Sequence, residues 1–148
     1  MDELKHYYKT MKHISLILMT LCVFSNAWAF KQKEITAVIL SETTMSWNGS
    51  TLPSYPDGQP EITILKVTIP PKTELQWHKH PIINAGYIVS GKMKVETETN
   101  DVLYLNAGDT IVELIDTWHR GVNETRKPVE LIVFYAGIVG TPLTILKD

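Results

Sequence analysis

The sequence predicts an all-β domain, a sandwich or a small barrel, carried behind an apolar leader. Three observations lead there. Beyond residue 30 no stretch shows a helical hydrophobic period, and the chain runs instead in short β-branched segments. Turn-forming residues interrupt these segments about every 8–12 residues, the spacing of sandwiches and barrels. The third is composition: 148 residues, 44% hydrophobic and 20% charged, with a formal charge of −2, describe one ordinary globular domain. Those values exclude a disordered tail, a collagen-like repeat and a coiled coil. With no basic cluster longer than two residues, they also argue against a nucleic-acid partner.

The leader comes first. Met11-Lys12-His13 opens a short basic stretch, and Ile14 to Phe24 follows as an apolar core. Ser25-Asn26-Ala27-Trp28-Ala29 then places small residues at the last and third-last positions of a signal-peptidase site. Cleavage is expected after Ala29, giving a signal peptide over 1–29 and a domain over 30–148. Asp2 and Glu3 fit a basic opening poorly, so translation is expected to start at Met11. A buried N-terminal helix is the competing reading. No apolar run reaches the roughly 18–20 residues of a membrane span, so the mature chain is expected free of the membrane, in the periplasm or secreted. The single cysteine, Cys22, lies in the leader, and Leu21 before it is not the small residue a lipid-attachment site needs. The mature domain therefore has no disulfide and is held by its core or a metal.

The strands then follow in order. Ile35 to Leu40 is a first candidate, and a loop from Ser46 to Pro60 carries Trp47 and Tyr55. This loop reads as a lid or a dimer contact. Glu61 to Ile69 resumes, with a change of face between Ile64 and Leu65 that suggests a bulge or full burial, and Pro70-Pro71 ends it. Leu75 to His80, Tyr87 to Ser90 and Lys92 to Thr99 continue the series, with Gly91 between the last two. Lys94, Glu96 and Glu98 share one face of Lys92–Thr99, the alternation of a half-exposed strand. Asn100-Asp101 turns into Val102 to Leu105, and Asn106 to Asp109 turns into Thr110 to Ile115. Trp118 to Val122 and Val129 to Tyr135 close the set.

Five histidines occur in the chain, and His6 and His13 fall in the leader. The domain keeps His78, His80 and His119. His78 and His80 are two apart on a strand and project to one face, away from Trp77 and Lys79. In a barrel that face is the interior, where imidazoles are costly unless their nitrogens are satisfied. One divalent transition metal (Fe, Mn, Ni, Cu or Zn) would satisfy them. Taken alone, the pair also fits two partly exposed, hydrogen-bonded histidines.

The wider spacing resembles the cupin family. His78-x-His80, then Asn84 and Gly91, follows the first cupin signature, and Gly108, His119 and Asn123 follow the second. The first signature normally has Glu at Asn84 and Gly at Lys72. The Pro and Gly inside the second are replaced by Leu114 and Asp116. Trp77-His-Lys-His-Pro81, Asn84-Ala-Gly-Tyr87 and Asp116-Thr-Trp-His119 are similar to a subgroup of small exported bacterial cupins. The resemblance covers roughly Glu61 to Gly137. It implies a double-stranded β-helix, the jelly-roll barrel, with a metal held inside by His78, His80 and His119.

Asn84 offers a neutral carbonyl oxygen as a weak fourth ligand, or an NH₂ donor for a bound substrate. Glu113, six residues before His119 with even parity, is the alternative inward carboxylate. A three-histidine site keeps its full positive charge and has open positions, which favours a small anionic chelator such as a diketonate, a hydroxy acid or a catecholate. Asn84, Trp118 and Tyr87 are the candidate substrate contacts. Trp77 is expected outside, Tyr104 is a weaker donor, and Asn123 is expected to fix a loop. No G-x-S-x-G elbow and no phosphate-cradling Gly-rich loop is present. Three readings remain at this point: a metal-dependent enzyme of oxygenase or oxidoreductase type, a non-catalytic metal- or ligand-binding module, and a metal-independent isomerase. Exposed edge strands and the apolar Ile138 to Leu146 tail point to a homodimer by analogy with small cupins.

Overall fold

Ten strands succeed one another in the computed structural model, which describes residues 34–148. They are β1 (Pro60–Ile69), β2 (Thr73–Glu74), β3 (His78–Lys79), β4 (Ile83–Ser90), β5 (Lys92–Thr97), β6 (Val102–Asn106), β7 (Thr110–Val112), β8 (His119–Asn123), β9 (Val129–Ile138) and β10 (Ile145–Leu146). All regular structure among the described residues is strand. The leader, with Cys22 and the Ala29 cleavage site, lies outside them.

The strands form two antiparallel sheets. One has the order β1-β9-β4-β7 and the other β10-β3-β8-β5-β6, with β2 also paired to β8. In β9 the burial of side chains alternates with period two along the whole strand, as one core-facing side requires. Ile69, Ile88, Leu131 and Val133 of the first sheet meet Met93, Val95 and Leu105 of the second in one core. Each such burial contributes about 1.5–3 kcal/mol. The chain is thus a double-stranded β-helix, a jelly-roll barrel closed around an apolar interior.

Several elements differ from their sequence pattern. Ile35 to Leu40 is not a strand, and Ile35 is 95% exposed. β-branched composition cannot make a strand without a partner edge, and no ladder among the described residues includes this segment. β1 carries no bulge: its register runs unbroken from Pro60–Ile138 to Ile69–Val129. The face change at Ile64–Leu65 arises because the strand is apolar on both sides, Leu65 and Val67 facing the cavity and Ile62 and Ile64 the exterior. Of Leu75 to His80 only His78–Lys79 is strand, β3, and β2 lies before that segment at Thr73–Glu74. The Ser46–Pro60 loop begins as a small hairpin turned at Asn48-Gly49, with Met45 bridged to Thr51. The Trp47 N–H donates to Val112 O at 2.9 Å, and the indole packs against the core.

Turn geometry follows the signature positions. Gly91 joins β4 to β5 at φ 87°, and a Cβ there would lie 2.7 Å from Pro128 O. Gly108 has φ 95° with nothing within 4 Å of the same added atom. Lys72 and Asp116 stand where the cupin pattern has Gly, and both keep left-handed backbone, at φ 55° and 51°. Leu114, in place of the usual Pro, is buried in the interior.

This contrast gives a first expectation. Gly108→Ala loses only the left-handed backbone preference, about 1–2 kcal/mol. Gly91→Ala adds a backbone collision and loses more than about 2 kcal/mol. Urea unfolding of the two variants checks the order, and equal losses would contradict it.

Candidate metal centre

β3 and β8 lie side by side with His78 paired directly to His119, and His80 follows two residues later on the same face. The three imidazoles form a near-equilateral triangle, with ring centroids 4.6–5.1 Å apart. Each ring is fixed by a backbone carbonyl. The Nδ1–H groups donate to Gln76 O at 2.7 Å, Leu143 O at 2.7 Å and Thr117 O at 2.8 Å for His78, His80 and His119 in turn. A carbonyl can only accept, so the proton resides on Nδ1 and Nε2 keeps its lone pair. His119 Nε2 is buried with no hydrogen-bond partner. One ligand atom from each ring lies within 4.8 Å of the others, so the three could hold a metal ion.

Burial depresses the basicity of all three rings. It lowers the pKa of His80 to about 4, the Leu143 carbonyl partly opposing. His78 and His119 are lowered for the same reason, with Gln76 and Thr117 opposing. Neutral imidazole is the form that ligates metal, so the donors need not lose a proton to bind.

A cavity of about 360 Å³ opens beside the triangle. Its walls include Leu65, Val67, Ile69, Leu75, Met93, Val95, Leu131, Val133 and Leu146, and its polar groups are the three histidines, Glu113, Gln76, Thr144 and Tyr135. Among the described residues no lysine or arginine lines it. The size suits a small organic molecule. Glu113 faces this space, with Oε2 buried, unpartnered and 3.5 Å from His119 Nε2. Burial pushes its carboxyl up to about 7, the His78 charge opposing.

The other residues singled out in the sequence are placed differently. Asn84 is 1% exposed on the inner face of β4; its amide N–H donates to Ile82 O at 3.2 Å and its Oδ1 has no partner. Tyr87 is 38% exposed, and neither it nor Asn84 or Trp118 lines the cavity. Trp118 is flanked by Lys79 and Lys147, whose Nζ atoms lie 5.4 and 5.8 Å from its ring. Trp77 stacks under Arg120, and Tyr104 is exposed. Asn123 donates to three carbonyls, those of Ile69, Pro70 and Lys127, and ties their loops together. Two contributors went unread in the sequence. Tyr135, whose ring lies 5.6 Å from that of His80, continues the inward series Val129, Leu131, Val133. The 143–146 segment, which holds His80 and adds Leu146 to the cavity wall, stood out in the sequence only as part of the apolar Ile138 to Leu146 tail.

The opposed shifts set a pH dependence for the metal-free protein. His80 falls from 6.5 to about 4 on folding, so its contribution is full above pH 6.5 and lost as pH falls toward 4. Glu113 rises from 4.5 to about 7, so its contribution is full below pH 4.5 and lost as pH climbs through 7. The stability of Glu113→Gln relative to wild type therefore rises between pH 4.5 and about 7 and levels off beyond. Chemical denaturation in chelator at several pH values reads this directly; a constant difference would contradict the burial of the carboxyl.

Comparison with known proteins bears first on the fold. No curated protein matches the sequence significantly. Solved structures do: a conserved double-stranded β-helix protein from Klebsiella pneumoniae subsp. pneumoniae is 18% identical, with TM-score 0.50, over 63% of this chain and 88% of that one. The DMSP lyase DddQ from Ruegeria pomeroyi DSS-3 is 20% identical with TM-score 0.52, over 58% and 43%. An oxalate decarboxylase from Lactobacillus farciminis is 23% identical with TM-score 0.50, over 57% and 26%. The chain thus spans less than half the length of the two enzymes. At these identities the likeness is one of fold. In sequence, residues 65–135 match the cupin domain. That stretch, which runs from the middle of β1 through all three histidines to Tyr135 of β9, is a cupin domain.

Proposed function

We propose that the chain is an exported metal-dependent enzyme of oxygenase or oxidoreductase type, acting on a small anionic chelating substrate. One observation carries this reading. Three imidazoles have their Nδ1 protons committed to backbone carbonyls, which leaves the Nε2 lone pairs free beside a cavity. The buried, unpartnered His119 Nε2 fits a metal as its missing partner. His78, His80 and His119 would hold the ion, and a bound transition metal would supply Lewis acidity or redox chemistry at its open positions.

The residues of the chain shape what can reach that point. Apolar walls exclude water and accept a hydrocarbon body, while the hydroxyls of Tyr135 and Thr144 can donate to a substrate oxygen. With no lysine or arginine among the described residues that line the cavity, a substrate anion would be balanced at the centre. A compact dicarboxylate would leave its second charge against leucine and valine. A mostly apolar molecule with one chelating oxygen pair suits the walls better. Placement in the periplasm or outside the cell, and assembly as a homodimer, complete the proposal.

The alternative is a non-catalytic module that holds a metal or a small ligand. It draws support from the absence of a carboxylate at Asn84, the signature position. A metal-independent isomerase is less well served, because three imidazoles grouped at ligand spacing are more than acid–base chemistry needs.

Elemental analysis of the untagged chain, recovered after expression with its own leader, tests the reading. The expected result is near one equivalent of a divalent transition metal, lost in both His78→Ala and His119→Ala. An oxygen-uptake screen with diketonates, hydroxy acids and catecholates then separates enzyme from binding module. Turnover that stops in chelator supports the enzyme; ligand-dependent stabilisation without turnover supports the module. No metal in the wild-type chain after reloading overturns the metal-dependent reading.

A further inference from the structure

Asn84 and Glu113 are neighbours across two strands. The β4–β7 register pairs Tyr87 with Thr110, Gly86 with Ile111 and Ala85 with Val112. One step further, the Glu113 N–H donates to Asn84 O at 3.1 Å. Residues opposed in an antiparallel ladder point to the same face, and here that face is the interior. The carboxyl that Asn84 lacks is therefore present on the adjacent strand, on the same interior face of the sheet.

We infer that Glu113 supplies the carboxylate ligand of the metal centre, in place of the signature position now held by Asn84. This rests on the metal-binding reading above and deepens it. Three facts support it. Glu113 Oε2 and His119 Nε2 are both buried without a partner and lie 3.5 Å apart. Two donors each ~2.0–2.1 Å from one tetrahedral ion are separated by about 3.4 Å, so this is the spacing of two ligands on a shared ion. The Glu113 backbone is also held firmly: its N–H by Asn84, its carbonyl by Ser46 Oγ at 2.8 Å, and the preceding Val112 carbonyl by the Trp47 N–H at 2.9 Å. The 44–52 hairpin thus clamps the one residue whose side chain completes the set.

The assignment changes what the site selects. A three-histidine centre presents the full charge of a divalent ion, and a bound carboxylate reduces it by one. In a cavity whose described lining has no lysine or arginine, a monoanionic chelator then matches the centre, whereas a dianion leaves a negative charge unbalanced.

Titration of the metal-free full chain with Co(II) and Mn(II), by calorimetry and by the visible spectrum of the cobalt form, provides the test. Wild type, Glu113→Gln, Asn84→Ala and the double variant Asn84→Glu/Glu113→Gln are compared. Removing a ligand costs at least the roughly 10–100-fold in affinity typical of a lost supporting group. Glu113→Gln should lose that much and shift the cobalt spectrum while its metal-free melting temperature is unchanged or higher. Asn84→Ala should stay within about threefold of wild type, a change too small to signal a lost ligand. The double variant, with the carboxylate back on β4, should recover most of the affinity. Wild-type affinity in Glu113→Gln, or an equal loss in Asn84→Ala, overturns the assignment alone. A wild-type chain that binds neither metal overturns it together with the metal-binding reading. Should Glu113→Gln fail to fold, Glu113→Asp, one methylene shorter, takes its place with the same two outcomes.

Discussion

Three short hydrogen bonds from imidazole Nδ1 to backbone carbonyl govern the interior of this barrel. Each removes one of a ring's two orientations and one of its two neutral tautomers, so three flexible side chains become a fixed set of lone pairs. The carbonyls come from Gln76 and Thr117, each two residues before its histidine, and from Leu143, far along the chain. Local backbone geometry thus orients two of the rings, and a tertiary contact orients the third. Burial then does the electrostatic work. It keeps the rings neutral near pH 7 and keeps the Glu113 carboxyl close to its titration point in the absence of a metal.

The order of the strands, the inward face of His78 and His80, and the turns at Gly91 and Gly108 were legible in the sequence because each rests on a local rule. Period-two alternation fixes a face, and a left-handed turn calls for glycine. Glu113 was legible only as a parity argument, because its meaning depends on lying opposite Asn84, which the sequence does not state. Ile35 to Leu40 misled for the complementary reason: strand propensity describes a willingness to pair and says nothing about a partner. The 143–146 segment could be read only as part of an apolar tail, without its role beside His80. Two residues of β10 carry no periodicity, and the Leu143 carbonyl that fixes His80 is invisible to any side-chain pattern. Tyr135 was available, as the last member of an inward series whose earlier members are aliphatic.

The departures from the family pattern do not disturb the backbone. Lys72 and Asp116 retain the left-handed conformation that glycine normally takes, at a cost of about 1–2 kcal/mol each. Both are tied where they stand. Lys72 Nζ donates to Glu124 O, and the Asp116 N–H donates to His80 O while its carboxylate meets Lys79. The geometry around the histidines is thus held against local preference, which shows how strongly the surrounding ladders determine it.

The Leu143 contact also bears on when the centre comes into being. β10 follows every other described strand in the chain, and its ladder has two residue pairs, to His78 and Lys79 of β3. During synthesis and folding the main sheets can close before it arrives, but His80 lacks its orienting carbonyl until then. A metal held by these histidines would then meet its full set of oriented donors only in a barrel already built, unlike zinc in a finger. The same short ladder is among the least costly places for the native structure to open. Opening there would free the His80 ring from its carbonyl while the two main sheets stay paired, so a bound ion could leave without unfolding of the barrel.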